Sequence, residues 1–492
     1  MTEDLHIEPD LKAKTAKGLL WGGVGNGLIQ LLNLVFGIFL ARLLTPHDYG
    51  MVGYLAIFSV LGSSIQECGF TNALVNQKTI RHEDYNAAFW FSIFLGISCY
   101  LILFFTAPLI ANFYNEPRLV PLSRYLFLSF VISSTVTAHN GFMMKKLMVK
   151  QKTLSQIIGL LVSGTVGVVL AYNGYAYWGI ATQTVTYVLV YAITMWCFSP
   201  WRPTFHFNFK PIKSMIGFSA KVLVTNVFIH INNNIFTVLL GRLYTSRDVG
   251  NYTQAAKWNQ MGYSLISNMI QGVAQPVLKE VEEERERQLR VFRKMLRFTA
   301  FVSFPAMLTL ALVSKEFITI AITDKWLNSA VIMQMLCVWG AFFPIGTLYT
   351  NMILSKGKSG VYMYGTIALG VLQLAVLIAT AHFGITVMII AFVIVNALWL
   401  LVWHYFVHHY LGLTLWQALL DIVPFAVVAL GTVVAVHFIT LPIANIYVLL
   451  VVRLLLSAII YLGIMKLLNA HILNEAFDYV FRRRKQPDNK AS

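Results

Sequence analysis

Long apolar stretches recur along the whole chain, and each one can cross a membrane as a helix. Spanning a hydrocarbon core of about 30 Å takes about 20 apolar residues. Such windows lie near 16–42, 48–68, 85–110, 120–143, 154–172, 176–198, 212–241, 248–272, 292–313, 328–354, 360–381, 384–408, 416–438 and 444–468. Only 12% of the residues are charged, roughly half the share in a soluble domain. We therefore predict an all-α polytopic membrane protein of about 14 transmembrane helices.

The basic residues predict the orientation of these spans. Lys and Arg concentrate near the N-terminus at Lys12, in KKLMVKQK at 145–152, around Lys210 and Lys213, in ERERQLRVFRK, and in the tail sequence FRRRK. The alternate loops contain few of them. Because cytoplasmic loops carry the excess of Lys and Arg, both termini are predicted to be cytoplasmic. The net charge of +16 then reflects topology and attraction to anionic membrane lipids, and it requires no nucleic-acid partner.

One hairpin sequence occurs twice, 200 residues apart. ARLLTPHDYG stands at 41–50 and GRLYTSRDVG at 241–250. Six predicted spans separate the copies, so both enter the membrane in the same direction, as parallel repeats related by an axis along the membrane normal. The repeat predicts an N-lobe at 1–200 with spans one to six and a C-lobe at 201–410 with spans seven to twelve. Two further spans at 411–470 and a basic cytoplasmic tail at 471–492 complete the chain.

The matched hairpin residues have a structural interpretation. In each copy an aspartate can cap the next helix, a glycine can ease the tight turn, and an arginine can satisfy the last carbonyls of the preceding span. These residues are Arg42, Asp48 and Gly50 in the first copy and Arg242, Asp248 and Gly250 in the second. We favour this interpretation over substrate contact, because Arg near span ends usually reaches toward the interface.

The first helix of each lobe carries a polar stripe. Residues at i, i+4 and i+7 share a face of roughly 60°. They are Asn26, Gln30 and Asn33 in the N-lobe, and Asn226, His230 and Asn233 in the C-lobe. One stripe alone can serve as interhelical hydrogen bonding. Two stripes in matching register favour the lining of a shared cavity, on a substrate path between rocking lobes.

Span eight has its own polar stripe, which includes a lysine. Within an arc of roughly 100° lie Gln254, Lys257, Ser264, Asn268 and Gln271. Lys257 is about 13 Å inside this span. An unpaired Lys at the bilayer centre costs roughly 2.5–3.5 kcal/mol, so we expect a water-filled cavity or an anionic partner. The alternative is a structural ion pair with a carboxylate such as Glu67.

Two other cations are weaker candidates for substrate contact. Lys221 lies near the start of span seven, and we expect it to extend back to the interface. Arg453 in span fourteen can pair with Asp421 in span thirteen, with substrate contact as the alternative. No metal site or cofactor is predicted, because the four cysteines have no metal-ligand spacing and the chain has no phosphate-binding loop.

Two segments resemble a known family of exporters. ARLLTPHDYG resembles the hairpin signature of the polysaccharide transporter family, within the multidrug/oligosaccharidyl-lipid/polysaccharide (MOP) exporter superfamily. VAQPVLKEVEEERERQLRVFRKMLRFTAFVSFPAMLTLALVSKEFITIAITDKWLNSAVIMQML is similar to the stretch that links its lobes. The likeness extends from about residue 12 to about residue 400 and is strongest toward exporters of the colanic-acid type.

The resemblance implies a transport function. Members carry an undecaprenyl-diphosphate-linked oligosaccharide from the cytoplasmic to the outer leaflet of the bacterial inner membrane, by alternating access of two lobes. It also implies polysaccharide assembly proteins as partners. An amide-lined cavity with a lysine suits a diphosphate and sugar hydroxyls. A multidrug exporter of the same superfamily is the alternative, although it should carry acidic residues inside its lobes. A membrane glycan polymerase or ligase is more distant, since the outer loops are mostly short.

Overall fold

The computed structural model describes residues 9–67, 69–76, 80–206, 208 and 210–468, and these ranges contain helices and no strand. The predicted all-α fold is confirmed. The chain divides into two compact units, Met1–Gly250 and Asn251–Ser492, called unit 1 and unit 2 below. The lobe limits at 200 and 410 stay predictions. The proposed tail at 471–492 lies outside the described residues.

Unit 1 is a bundle of long helices and short connecting ones. It contains α1 (Pro9–Leu43), α2 (Pro46–Gly53), α3 (Ala56–Glu67), α4 (Phe70–Asn76), α5 (His82–Tyr114), α6 (Leu119–Leu126), α7 (Leu128–Ser134), α8 (Thr137–Lys145), α9 (Val149–Tyr172), α10 (Tyr177–Phe198) and α11 (Lys210–Leu243). Helix α9 packs along α10 and α1, and α11 packs against α3, α4 and α5.

Unit 2 is built in the same way around α13 and α15. Its helices are α12 (Ser246–Glu280), which begins in unit 1, α13 (Arg285–Leu312), α14 (Ser314–Ile322), α15 (Leu327–Ser355), α16 (Ser359–Thr380), α17 (Ile385–Leu411), α18 (Leu415–Ile439) and α19 (Ile446–Leu467). Helix α13 packs on α15 and α18, and α15 packs on α17.

Twelve helical segments of the described chain are long and apolar enough to cross a membrane. A thirteenth is formed if Leu119–Ser134 and Thr137–Lys145, bent by 43°, act as one span. The protein is therefore a multi-pass membrane protein, as predicted. Helix α12 coincides with the predicted eighth span, but it is too polar to be counted among the twelve candidate spans. The count of fourteen stays a prediction.

Two ion pairs attach α18 and α19 to the rest of unit 2. Asp421 accepts hydrogen bonds from Nε and Nη2 of Arg293 at 2.6 and 3.0 Å, and Arg297 Nε lies 3.6 Å from its Oδ1. Arg453 donates to Glu316 Oε1 at 2.8 Å. The predicted pairing of Arg453 with Asp421 is wrong, because each residue meets its opposite charge on α13 or α14.

Candidate functional site

Each copy of the repeated hairpin forms a capping box, in which a Thr and an Asp three residues later bond reciprocally. The backbone N–H and the hydroxyl of Thr45 donate to Asp48 Oδ2 at 2.8 and 2.6 Å. Thr245 donates in the same way to Asp248 Oδ2, at 3.2 and 2.7 Å. The aspartates thus cap from the third position of the helix, and the repeated sequence encodes the same local turn twice.

Gly50 and Gly250 serve a different purpose from the one predicted. Neither is among the residues with positive φ, so the turn does not require glycine. A Cβ on Gly50 would lie 1.7 Å from the carbonyl oxygen of Ser246, and one on Gly250 would lie 1.8 Å from that of Pro46. The absence of a side chain therefore allows the two hairpin backbones to touch.

The hairpin contacts are reciprocal. With the shift of 200 residues, position 50 meets position 246, and position 250 meets position 46. His47 Nδ1 also lies 2.6 Å from Ser246 Oγ. Contacts that exchange two copies in this way are those of a two-fold axis, which is the relation expected for parallel repeats.

Arg242 fastens the second hairpin to a neighbouring helix. Its Nη1 donates to the carbonyl oxygen of Phe113 at 2.7 Å, and its guanidinium carbon lies 5.5 Å from the centroid of the Phe113 ring. The predicted bond to the carbonyls of its own span is therefore replaced by one to the last turn of α5. Arg42 in the first copy is exposed.

The predicted stripes lie on α1 and α11. Asn26, Gln30 and Asn233 are exposed, whereas Asn33, Asn226 and His230 are half-buried. No hydrogen bond in the described part of the chain involves these six side chains. An exposed amide within a spanning helix is costly in lipid, so the exposure favours a water-filled path, and the lining role stays a prediction. The side chain of Lys221 lies outside the described residues.

Lys257 is half-buried on α12, and its Nζ lies 5.8 Å from the ring centroid of Trp258. Within the described part of unit 2, no carboxylate forms an ion pair with it. Trp258 packs edge-on against Phe317 with ring centroids 5.2 Å apart, which fixes this part of the helix. Glu67, the alternative partner, interacts electrostatically with Lys152 inside unit 1.

Gln254 lies three residues before Lys257, on the same face of α12. Its side chain is 1% exposed, and neither amide atom has a hydrogen-bond partner in the described structure. A buried polar group left unpaired costs roughly 1–3 kcal/mol, so water or a ligand is expected to supply the missing bonds. Asn268 and Gln271 continue the stripe as exposed residues. An ammonium and an unpaired amide therefore lie together on α12.

A family model described as "Polysaccharide biosynthesis protein" matches residues 39–331. The chain belongs to this family. Two relatives of the chain are lipopolysaccharide biosynthesis protein WzxC of Escherichia coli (strain K12) and teichuronic acid biosynthesis protein TuaB of Bacillus subtilis (strain 168). WzxC is 25% identical over 354 residues, 71% of each chain. TuaB is 23% identical over 361 residues, 72% of this chain and 74% of the relative.

Solved structures agree with the fold expected for the MOP superfamily. The lipid II flippase MurJ, in an inward closed conformation, matches with a TM-score of 0.75 at 13% identity, covering 94% of this chain and 99% of MurJ. An inward-facing multidrug resistance MATE transporter matches with a TM-score of 0.64 at 16% identity, covering 78% of this chain and 94% of the other. At these identities the likeness concerns the fold alone. The predicted family resemblance is confirmed by the family model and by the two relatives above.

The long-range partners of two charged residues are not predicted by the sequence. Glu316 was not identified as the partner of Arg453, nor Arg293 as the partner of Asp421. The charged residues in the sequence could have indicated that such ion pairs exist, because carboxylates near apolar spans are few and a buried carboxylate needs a cation. Which cation it meets depends on helix packing, which the sequence pattern does not specify.

Proposed function

We propose that the protein is a flippase that moves an undecaprenyl-diphosphate-linked oligosaccharide from the cytoplasmic to the outer leaflet of a bacterial cell membrane. The product would serve the synthesis of a surface polysaccharide such as lipopolysaccharide, capsule or exopolysaccharide. Family membership supports a role in polysaccharide biosynthesis. The name of MurJ, a lipid II flippase of the same fold, supports transport rather than catalysis. Cytoplasmic termini are part of this proposal.

The observation that carries the proposal is the pair formed by Lys257 and Gln254. A diphosphate offers several anionic oxygens, and a charge-assisted bond from an ammonium is among the stronger contacts available to it. The unpaired amide of Gln254 supplies a neutral donor on the same face. The stripe amides on α1 and α11 suit sugar hydroxyls, which both donate and accept hydrogen bonds.

The proposed movement is alternating access of the two repeats. Parallel repeats commonly rock against each other around a central site. In this scheme the hairpins at 41–50 and 241–250 touch in one state and separate in the other. The backbone contacts at Gly50 and Gly250 would belong to the state in which that end is shut.

Substitutions of Lys257 test the proposed diphosphate contact. Losing one charge-assisted bond is worth roughly 1.5–3 kcal/mol, so Lys257→Ala should slow flipping of a fluorescent lipid-linked oligosaccharide in vesicles by tenfold or more. Lys257→Arg should retain part of the activity, and Lys257→Glu should be the most damaging because like charges would meet. Lys315→Ala is the matched control, since Lys315 is an exposed residue on α14.

Thermal unfolding in detergent separates this role from a structural one. Breaking a buried ion pair would destabilise the protein by roughly 3–5 kcal/mol, whereas loss of a substrate contact should leave the unfolding temperature unchanged or higher. Normal flipping by Lys257→Ala, or a joint loss of stability and flipping, would remove Lys257 from the mechanism. In the host, deleting the gene should cause a lipid-linked oligosaccharide to accumulate on the cytoplasmic leaflet.

A further inference from the structure

A cavity of about 360 Å³ lies at the end of unit 1 where α5 begins and α8 ends. Three cationic side chains line it, from Arg81, Lys145 and Lys146, together with three aromatic ones, from Tyr85, Phe142 and Trp201. None of its lining residues is a carboxylate. The volume lies within the range of ordinary ligand sites, about 300–1,000 Å³. The cavity is therefore large enough for a ligand headgroup and strongly basic.

Three segments far apart in the sequence build this pocket. The segment after α10 is held on α5, because Asn86 Nδ2 donates to His206 O at 2.6 Å and Asn86 Oδ1 accepts from Thr204 N at 2.9 Å. Trp201 Nε1 donates to His82 Nδ1 at 3.2 Å. Lys145 Nζ donates to Val75 O at 3.0 Å. These bonds fix the pocket walls without a ligand.

The turn after α8 positions the two lysines. Leu147 has φ +54°, a left-handed conformation that costs a residue with a side chain roughly 1–2 kcal/mol. The backbone N–H of Met148 donates to the carbonyl oxygen of Met143 at 2.8 Å, and this bond closes the turn that contains Leu147. This turn follows directly on the end of α8 at Lys145, and both Lys145 and Lys146 line the cavity.

The local charges favour an anion. Arg81 and Lys146 are exposed, and both can reach a ligand in the cavity. Asp84 accepts from the backbone N–H of Arg81 at 2.8 Å and so caps α5, while Glu83 and Asp84 are absent from the cavity lining.

We propose that this pocket binds the anionic, phosphate-bearing headgroup of a membrane lipid. Arg81 and Lys146 would bond to phosphate oxygens, and Tyr85 and Trp201 would lie at headgroup depth, where such side chains are enriched. In the predicted orientation the pocket faces the cytoplasm, where anionic lipids attract basic residues. The phosphate can belong to a bilayer phospholipid or to the diphosphate of the transported lipid, and only the second source rests on the proposed function.

Native mass spectrometry of the full-length protein in detergent tests the site, with phosphatidylglycerol, phosphatidylcholine and undecaprenyl diphosphate as probes. The double variant Arg81→Gln with Lys146→Gln should bind phosphatidylglycerol, undecaprenyl diphosphate or both about thirtyfold more weakly. Its matched control is Lys210→Gln with Lys213→Gln, which removes two exposed charges outside the cavity. This control should bind within about threefold of the wild type, and phosphatidylcholine binding should not change.

The pattern of losses identifies the source of the phosphate. A loss confined to phosphatidylglycerol assigns the pocket to a bilayer lipid, and a loss confined to undecaprenyl diphosphate assigns it to the substrate. Equal losses in the double variant and its control would overturn the site, as would unchanged binding of both lipids. If the double variant unfolds, Lys146→Gln alone should weaken binding about fivefold. Phosphatidylglycerol binding without any flipping would refute the proposed function and leave this site standing.

Discussion

Replacing Gly250 with Ala tests whether close hairpin contact is the reason for a glycine there. The added Cβ would lie 1.8 Å from Pro46 O, whereas ordinary contact begins at 3.4 Å. The two backbones must therefore separate locally by about 1.6 Å, the difference between these distances. The atoms that this Cβ would meet belong to the backbone, and a Cβ itself cannot be moved by side-chain rotation, so no rotamer change relieves the overlap. Such overpacking typically costs about 1–3 kcal/mol.

The expected result is a loss of hairpin contact, which a cysteine pair can measure. His47→Cys and Ser246→Cys place two thiols where the native side-chain atoms are 2.6 Å apart, with the four native cysteines replaced by Ser. An energy of 1–3 kcal/mol corresponds to a decrease of about 5- to 150-fold in the touching population, and oxidative cross-linking of Gly250→Ala should slow accordingly. If this population is an obligatory transport state, flipping should slow as well.

Gly431→Ala on α18 is the matched control, because no atom lies within 4 Å of the Cβ it would add. It shares the gain in helix propensity, about 1 kcal/mol, without the overlap. Cross-linking of Gly250→Ala at the rate of this control would refute the close-contact argument. Equal cross-linking with reduced flipping would place the effect of the substitution elsewhere.

Three other predictions concern the ion pair, the topology and the stripes. Arg453 and Glu316 are 7% and 6% exposed, so Arg453→Met should lower stability in detergent by about 3–5 kcal/mol; adding Glu316→Leu should restore most of it, and no recovery would argue against a buried pair. Reporter fusions should be cytoplasmic after Lys152 and Lys213 and external at Pro46 and Ser246; one reversed position would invalidate the assigned orientation. Asn33→Leu and Asn233→Leu should reduce flipping more than the amount of membrane-inserted protein, whereas equal losses would indicate packing roles.

The chain's local patterns were predictable from sequence. A long apolar stretch predicts a membrane span. Each polar group placed in lipid adds its own cost in free energy, and a run of neighbouring apolar residues avoids that cost. Most of the predicted windows accordingly coincide with helices of the described structure. The window 248–272 also coincides with a helix, but that helix is too polar to count as a candidate membrane span. The capping boxes at Thr45 and Thr245 were also accessible, since their bonds span three residues.

The sequence by itself determined the helices, the repeat and the positions of the polar stripes, because each depends on neighbours within a few turns or on direct comparison of two segments. Only the tertiary structure decided the partners. Arg453 meets Glu316 across 137 residues, Gly250 meets Pro46 rather than easing its own turn, and Arg81 shares a pocket with Lys146. Helices of similar hydrophobicity can pack in many arrangements, and the side chains that meet are fixed by the arrangement that buries and pairs the polar groups together.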